Sequence, residues 1–246
     1  MVTEWLWIPR PKPGANFKLY CFAHAGAGAS AFARWMTAAP DTIEVAAIQL
    51  PGRESRLSEE PVRRFAPAAQ AIAKAIHFDN RPFMLFGHSA GGRLAIHVAS
   101  LLDETRYRPL HVFISSSPAT STHRAPIHHL DDTEFIAKLG AHYGPIPEPI
   151  LRDPDVWPLF ARALRADFEA LETDVLVPRP LGIPLTIIAV RNDPVVKVTE
   201  LAGWQNWSAL QVHNVIVEGD HFSYRTDPRP YLDVIETRFD RASRTR

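Results

Sequence analysis

A serine flanked by glycines stands between two apolar segments of different periodicity. The motif G-x-S-x-G occupies residues 87–91, directly after the short apolar run 83–86 and directly before the helical pattern 92–102. A nucleophile on a sharp strand-to-helix turn needs both glycines, because side chains at those positions would collide across the turn. The motif therefore predicts a nucleophilic Ser89 at the edge of a sheet, with a helix N-terminus behind it that favours developing negative charge.

Short apolar runs alternate with helical patterns along most of the chain. Residues 65–76 carry apolar side chains at intervals that place them on one face of a helix. Runs that are apolar almost throughout are typical of parallel strands covered on both faces. The alternation predicts a doubly wound, mostly parallel α/β sheet, with strands at 18–22, 45–50, 83–86, 112–115, 185–190 and 214–217.

Residues 116–184 break this alternation. They contain ten prolines and no predicted strand, whereas helical patterns persist at 132–139 and 157–171. A segment of this length is too long for a simple crossover. We therefore expect one domain, residues 1–246, with a helical insertion at 116–184; the alternative is a long surface excursion without a function.

Two downstream residues can complete the chemistry of Ser89. A serine hydroxyl needs a base, and the base needs a carboxylate that orients it; in this motif's fold the chain order is serine, acid, histidine. Asp193 follows the predicted strand 185–190, and His221 lies four residues past the last predicted strand. We expect a catalytic triad of Ser89, Asp193 and His221. Asp220 is the weaker candidate for the acid, because neighbouring side chains rarely align for the required hydrogen bond.

Two backbone N–H groups are the expected oxyanion donors. One belongs to the residue after the nucleophile and the other to the loop after an early strand. Ala90 supplies the first. The small residues of segment 24–29 let the backbone approach a substrate, so we assign the second donor to Ala25. A phosphate cradle is disfavoured there, because the loop lacks the third glycine and the lysine of nucleotide-binding motifs.

Composition excludes several classes of protein. Lys and Arg total 27 and Asp and Glu total 27, so there is no basic excess for nucleic-acid binding. Cys21 is the single cysteine, which excludes an internal disulfide and a CxxC site. The N-terminus does not resemble a signal peptide, and no apolar run approaches the roughly 20 residues that span a bilayer. We expect a cytoplasmic protein, with nothing that demands more than a monomer.

A metal site is also disfavoured. His128 and His129 stand close to Asp131 and Asp132. Adjacent histidines, however, do not present two nitrogens to one ion as i, i+4 spacing does. We therefore expect neither a metal nor a cofactor-binding residue.

The chain resembles the type II thioesterases, the stand-alone α/β-hydrolases that accompany polyketide synthases and nonribosomal peptide synthetases. The resemblance spans nearly the whole chain, and its segments occur in order. They are C-F-A-H-A-G at 21–26, L-P-G-R-E-S-R at 50–56, G-H-S-A-G-G at 87–92, L-R-A-D-F at 164–168 and G-D-H-F at 219–222.

This resemblance implies the α/β-hydrolase fold, with the insertion as a helical lid over an acyl chamber. It implies a substrate on the phosphopantetheine arm of an acyl or peptidyl carrier protein; the arm enters as part of the substrate, so no separate cofactor is expected. It also implies an editing role in antibiotic biosynthesis, the removal of stalled or mis-primed acyl groups. The alternatives are a carboxylesterase or acyl-CoA thioesterase with the same triad, and a non-catalytic module that binds carrier proteins.

Two sets of side chains have more than one possible role. Three arginines could contact the substrate complex, through the phosphate of the arm or through acidic residues of the carrier. Alternatively, they are solvated or form structural ion pairs. These residues are Arg53, Arg56 and Arg165. The apolar residues of the second helical pattern either exclude water around an acyl group or pack on the core, and one helix can do both: Trp157, Leu159, Phe160, Leu164 and Phe168.

Overall fold

Seven strands form a single sheet in the computed structural model, which describes residues 4–76, 81–119 and 124–244. The order across the sheet is β1-β3-β2-β4-β5-β6-β7. The β1–β3 pairing is antiparallel and the other five pairings are parallel. This topology confirms the predicted mostly parallel α/β sheet. The strands are β1 (Leu6–Trp7), β2 (Phe17–Phe22), β3 (Ile43–Ile48), β4 (Phe83–His88), β5 (Val112–Ser115), β6 (Leu185–Val190) and β7 (Val212–Val217).

Helices connect the strands and cover both faces of the sheet. No helix in the described ranges is both long enough and apolar enough to cross a membrane. The α-helices are α1 (Ala33–Ala38), α2 (Phe65–Ala75), α3 (Ala90–Leu102), α4 (Asp132–Tyr143), α5 (Glu148–Arg152), α6 (Val156–Glu172), α7 (Ser223–Thr226) and α8 (Arg229–Arg244), and 3-10 turns occupy Ala29–Phe32, Glu54–Arg56 and Val198–Trp207.

The hydrophobic core lies on both sides of the sheet, because successive residues of a strand point to opposite faces. On β4, Leu85 belongs to the layer that contains Ile72 of α2. Its neighbour Phe86 points the other way, where its ring lies 4.6 Å from Trp35 and 6.1 Å from Tyr231. Coverage on both faces explains why β4 is apolar along most of its length.

Strands β5 and β6 have their predicted bounds, and the other predicted strands differ by a few residues at their ends. Five elements were not predicted: β1, α1, α5, α7 and α8. β1 contains only two residues, and α1 and α5 contain six and five. In α8 the buried residues Tyr231, Leu232 and Ile235 alternate with charged ones, which obscures its apolar face. Short elements and heavily charged helices carry weak periodic signals.

The segment between β5 and β6 contains α4, α5 and α6. It has a small hydrophobic core of its own, in which Phe135 and Phe168 meet edge to face at 6.0 Å. Near its end, Leu181 forms an isolated parallel bridge with Ser208. Residues 120–123 of the predicted insertion lie outside the described residues.

The turn between β4 and α3 is tightly packed. Ser89 has φ 54° and ψ −122°, a conformation that is uncommon and strained for a residue with a side chain. A Cβ atom on Gly91 would lie 2.2 Å from the carbonyl oxygen of Phe22, and one on Gly87 would lie 2.4 Å from the carbonyl oxygen of Gly91. Both glycines are therefore required by close backbone contact.

Gly91→Ala is expected to lower the free energy of unfolding by about 1–3 kcal/mol, because a backbone carbonyl blocks the added methyl group. The midpoint of urea unfolding measures this change. The control is Gly140→Ala in α4, where an added Cβ meets nothing within 4 Å; it should leave stability unchanged or raise it by about 0.5–1 kcal/mol. Equal stability of Gly91→Ala and the wild type would contradict the close contact.

Candidate active site

The carboxyl ends of three parallel strands carry the predicted triad residues. Ser89 directly follows β4, Asp193 lies three residues after β6, and His221 lies four residues after β7. Ends of parallel strands meet at one edge of the sheet, where ligands bind in open α/β folds. Ser89 and His221 both line a cavity of about 730 Å³ at this edge.

His221 and Asp193 form a buried hydrogen bond. His221 Nδ1 lies 2.8 Å from Asp193 Oδ2, and the two side chains are 4% and 1% exposed. The second carboxylate oxygen of Asp193 accepts the N–H groups of Val195 and Val196 at 2.8 and 3.0 Å. Asp220, the rival acid, is exposed and accepts only the Phe222 N–H with its side chain among the described residues.

The surroundings of Asp193 keep its carboxyl ionised. Burial raises the pKa of this group, but the hydrogen bond to His221, the charge of that imidazole and the Val196 N–H together lower the pKa below its ordinary value. A buried carboxylate in this position orients the imidazole through Nδ1 and stabilises it when Nε2 takes up a proton.

Ser89 stands at the N-terminus of α3, with its N–H donating to the Ser115 carbonyl at 2.9 Å. Within the described residues its hydroxyl forms no hydrogen bond to His221 shorter than 3.5 Å. Such contacts are often long before substrate binds. The structure thus brings Ser89 and His221 to one cavity wall and joins His221 to Asp193.

The two predicted oxyanion donors, Ala25 and Ala90, each line a cavity that also includes Ser89. Ala25 lines the large cavity, and Ala90 lines a smaller one of about 70 Å³ that also includes Ser89. As the first residue of α3, Ala90 has an N–H without an intrahelical acceptor. In the described part of the chain, the Ala25 N–H makes no backbone hydrogen bond. Both donors are available to a ligand.

A buried ion pair ties the insertion to the loop that carries Ala25. Arg53 donates to Asp167 of α6 through Nη1 and Nη2, at 2.6 and 2.8 Å, and each side chain is 6% exposed. Asp167 also accepts the Gly26 N–H at 2.7 Å, and Arg53 donates to the Ala27 carbonyl at 3.1 Å. We call Arg53 and Asp167 the loop–helix clamp.

Helix α6 both lines the large cavity and packs within the insertion. Leu159 and Phe160 line the cavity, whereas Leu164 and Phe168 line it and also belong to the insertion's core. Trp157 packs against that core and donates through its indole N–H to an aspartate of α4. This face of α6 therefore both lines the cavity and packs in the core of the insertion.

The three arginines of uncertain role all have partners within the chain. Arg53 is in the clamp. Arg56 pairs with Glu4 and Glu59, and Arg165 pairs with Asp132. All three form structural ion pairs.

The described residues contain no group of three or more His, Cys, Asp or Glu side chains placed to hold a metal ion. His128 instead lies 2.5 Å, through Nδ1, from the carboxylate of Glu172 on α6.

Sequence reasoning missed two features of this site. In the sequence analysis, Asp167 appears only within the L-R-A-D-F segment. The pattern that could have revealed its role is an acidic residue among the apolar positions of an amphipathic helix. The other feature is a cluster in which His24, a lining residue of the cavity, meets the buried residues His88 and Tyr224, and the His88 ring stacks on Tyr224 at 4.2 Å. The only local sign of this cluster in the sequence is Tyr224, an aromatic residue three positions after His221.

Comparison with known proteins gives consistent matches over most of the chain. The family model described as Thioesterase domain matches residues 17–240. The gramicidin S biosynthesis protein GrsT of Aneurinibacillus migulanus is 31% identical over 226 residues, which cover 90% of this chain and 88% of GrsT.

Two solved structures extend these matches. The RedJ thioesterase from the prodiginine biosynthetic pathway of Streptomyces coelicolor superposes with a TM-score of 0.81 at 31% identity, covering 94% of this chain and 98% of RedJ. YbtT, described as a type II thioesterase from the yersiniabactin NRPS/PKS pathway, gives a TM-score of 0.83 at 28% identity, covering 96% of this chain and 97% of YbtT.

Asp167→Asn is expected to lower the free energy of unfolding by about 3–5 kcal/mol, because it leaves the Arg53 charge buried without a counter-ion. Urea unfolding measures the loss. Asp132→Asn is the matched control: it removes an exposed pair with Arg165 and should change stability by less than about 1 kcal/mol. Similar losses in both variants would show that the clamp does not anchor the insertion.

The lowered pKa of Asp193 predicts a pH-dependent contribution to stability. This contribution is fully present above the unfolded value of about 3.9 and is lost as pH falls through the folded value. The stability difference between the wild type and Asp193→Asn should therefore shrink as pH falls below about pH 4. Urea unfolding at each pH tests this, and a difference that persists unchanged at pH 3 would refute it.

Proposed function

The chain belongs to the thioesterase domain family and has the α/β-hydrolase fold, and we propose that it hydrolyses acyl thioesters held on the phosphopantetheine arm of a carrier protein. Its proposed role is editing, the removal of stalled or mis-primed acyl groups from a polyketide synthase or a nonribosomal peptide synthetase. Ser89, His221 and Asp193 are the proposed catalytic residues, and residues 116–184 are the proposed lid of a single domain.

The reaction proceeds through an acyl-enzyme. His221 Nε2 takes the hydroxyl proton as Ser89 Oγ attacks the thioester carbonyl carbon, and the resulting oxyanion is held by the N–H groups of Ala25 and Ala90. The C–S bond breaks, and the pantetheine sulfur leaves with the proton from His221. Water then gives a proton to His221 and attacks the acyl-serine, which releases the free acid and restores the Ser89 hydroxyl.

The observation that carries this proposal is the buried His221–Asp193 hydrogen bond at a cavity that also contains Ser89. The bond occupies Nδ1 of the imidazole and leaves Nε2 as the nitrogen that can act as a base. Since Asp193 stays ionised, it favours the protonated imidazole that forms during the attack. A turn serine without a catalytic role would not need this arrangement.

The cavity supports a substrate with an acyl group and a long arm. Its volume of about 730 Å³ lies within the usual range of about 300–1,000 Å³ for small-molecule sites. Its walls are mainly apolar, including Leu139, Ile146, Leu159 and Phe160. GrsT belongs to gramicidin S biosynthesis, RedJ to the prodiginine pathway and YbtT to the yersiniabactin NRPS/PKS pathway, which supports delivery of that substrate by a carrier protein.

Ser89→Ala is expected to lower kcat for acyl-carrier protein hydrolysis by at least about 10³-fold, because the residues of such a triad act as a unit. Release of the acyl group, followed by mass spectrometry of the carrier, measures the rate. The control is Ser100→Ala on the same helix, whose hydroxyl bonds only the Ile96 carbonyl among described residues; it should retain wild-type activity.

The wild type should also be assayed on one acyl group attached to carrier protein, to coenzyme A and to a simple oxygen ester. The proposal predicts the highest kcat/KM for the carrier-bound group. Equal or higher kcat/KM for the ester would indicate a carboxylesterase, and a preference for coenzyme A would indicate an acyl-CoA thioesterase. Binding of the carrier without turnover would indicate a non-catalytic module.

A further inference from the structure

The side chain of His24 is held from one side by a buried tyrosine. His24 Nδ1 lies 2.5 Å from the Tyr224 hydroxyl. Tyr224 is fully buried, its ring stacks on that of His88, and its carbonyl oxygen accepts the Trp35 indole N–H at 2.7 Å. The phenol is thus fixed in place by packing and by its backbone, and it can orient the imidazole of His24.

The direction of this hydrogen bond follows from the partners available. If Nδ1 carried the proton and donated it, the Tyr224 hydroxyl hydrogen would need a second acceptor, and no other partner of this hydroxyl is found among the described side chains. A buried donor without an acceptor is unfavourable. Tyr224 therefore donates to Nδ1, and the neutral imidazole of His24 carries its proton on Nε2.

The ionisation of both groups agrees with this assignment. Burial, followed by the charges of Arg225, His221 and Arg53, lowers the pKa of His24 to about 3. Burial also raises the pKa of the Tyr224 phenol, although the His24 backbone N–H opposes this effect. At neutral pH the imidazole is uncharged and the phenol keeps its proton.

The Nε2–H of His24 is left available at the active-site cavity. His24 lines that cavity together with Ser89 and His221, and the residue is only partly buried, whereas Tyr224 is fully buried. Phe222, whose ring centre lies 5.1 Å from that of His24, is another lining residue. Within the described residues Nε2–H has no acceptor. The cavity therefore contains a neutral side-chain donor that the triad and the two backbone donors do not use.

We propose that His24 Nε2–H donates a hydrogen bond to a carbonyl oxygen of the bound acyl-pantetheine chain, and that Tyr224 is the positioning residue that holds His24 in this tautomer. The proposal rests on the proposed function for the identity of the ligand. A neutral donor suits the uncharged thioester and amide carbonyls of such a chain, because it needs no counter-ion in an apolar cavity.

Two substitutions of His24 separate the two ring nitrogens. Glutamine places its amide nitrogen near the position of Nε2, whereas asparagine places it near Nδ1. His24→Gln should stay within about threefold of wild-type kcat/KM for the acyl-carrier protein, and His24→Asn should lose about tenfold or more, as expected for one lost hydrogen bond. Equal losses in two variants with equal urea midpoints would overturn the proposal.

NMR of the imidazole nitrogens tests the proposal without turnover. In the wild type, long-range ¹H–¹⁵N spectra should show His24 as the Nε2–H tautomer, and Tyr224→Phe should give a mixture of tautomers. The probe is S-acetonyl-pantetheine, in which a methylene group between sulfur and carbonyl prevents hydrolysis. Saturation with it should shift the His24 Nε2–H proton.

An Nδ1–H tautomer in the wild type, no binding of the probe, or binding without a shift of the Nε2–H signal would each overturn the proposal. Failure of the proposed function gives a different pattern, in which the probe binds and shifts the signal but carrier-bound thioesters are not hydrolysed.

Discussion

The close contact between the N-terminus of α3 and the end of β2 is the constraint on which the site depends. An added Cβ at Gly91 would lie 2.2 Å from the Phe22 carbonyl oxygen and 2.5 Å from that of Ala23. The absence of a side chain lets the helix start beside the loop that follows β2. As a result, Ser89 is held in its strained turn next to Ala25, and the nucleophile and a candidate oxyanion donor share one cavity.

The loop–helix clamp extends this construction to the insertion. Asp167 binds Arg53 and the Gly26 N–H together, so one carboxylate of α6 contacts the loops that follow β2 and β3. A buried ion pair is favourable only when its geometry and remaining hydrogen bonds are good, and both oxygens of Asp167 are engaged here. The clamp gives α6 a defined position over the cavity, so the helix that packs the insertion also shapes the binding site.

Local patterns in the sequence were sufficient to place Ser89, Asp193 and His221 after three predicted strands. Because the carboxyl ends of parallel strands lie at one edge of a sheet, these positions also predicted that the three residues lie near each other. They were not sufficient for contacts between distant segments. Arg53 and Asp167 are 114 residues apart, and the His24 and Tyr224 pair is separated by 200. No periodicity encodes these pairings, which depend on how the loops and the insertion pack. For the same reason, the sequence alone did not identify the partners of Arg53, Arg56 and Arg165.

Labelling with a fluorophosphonate, followed by peptide mapping, tests the central claim most directly, since the reagent reacts only with an activated hydroxyl. The account predicts one adduct on Ser89 in the wild type and a strong reduction of that adduct in His221→Ala. An adduct on another residue, or labelling of Ser89 that is unchanged by His221→Ala, would contradict the claim that these side chains form one proton relay.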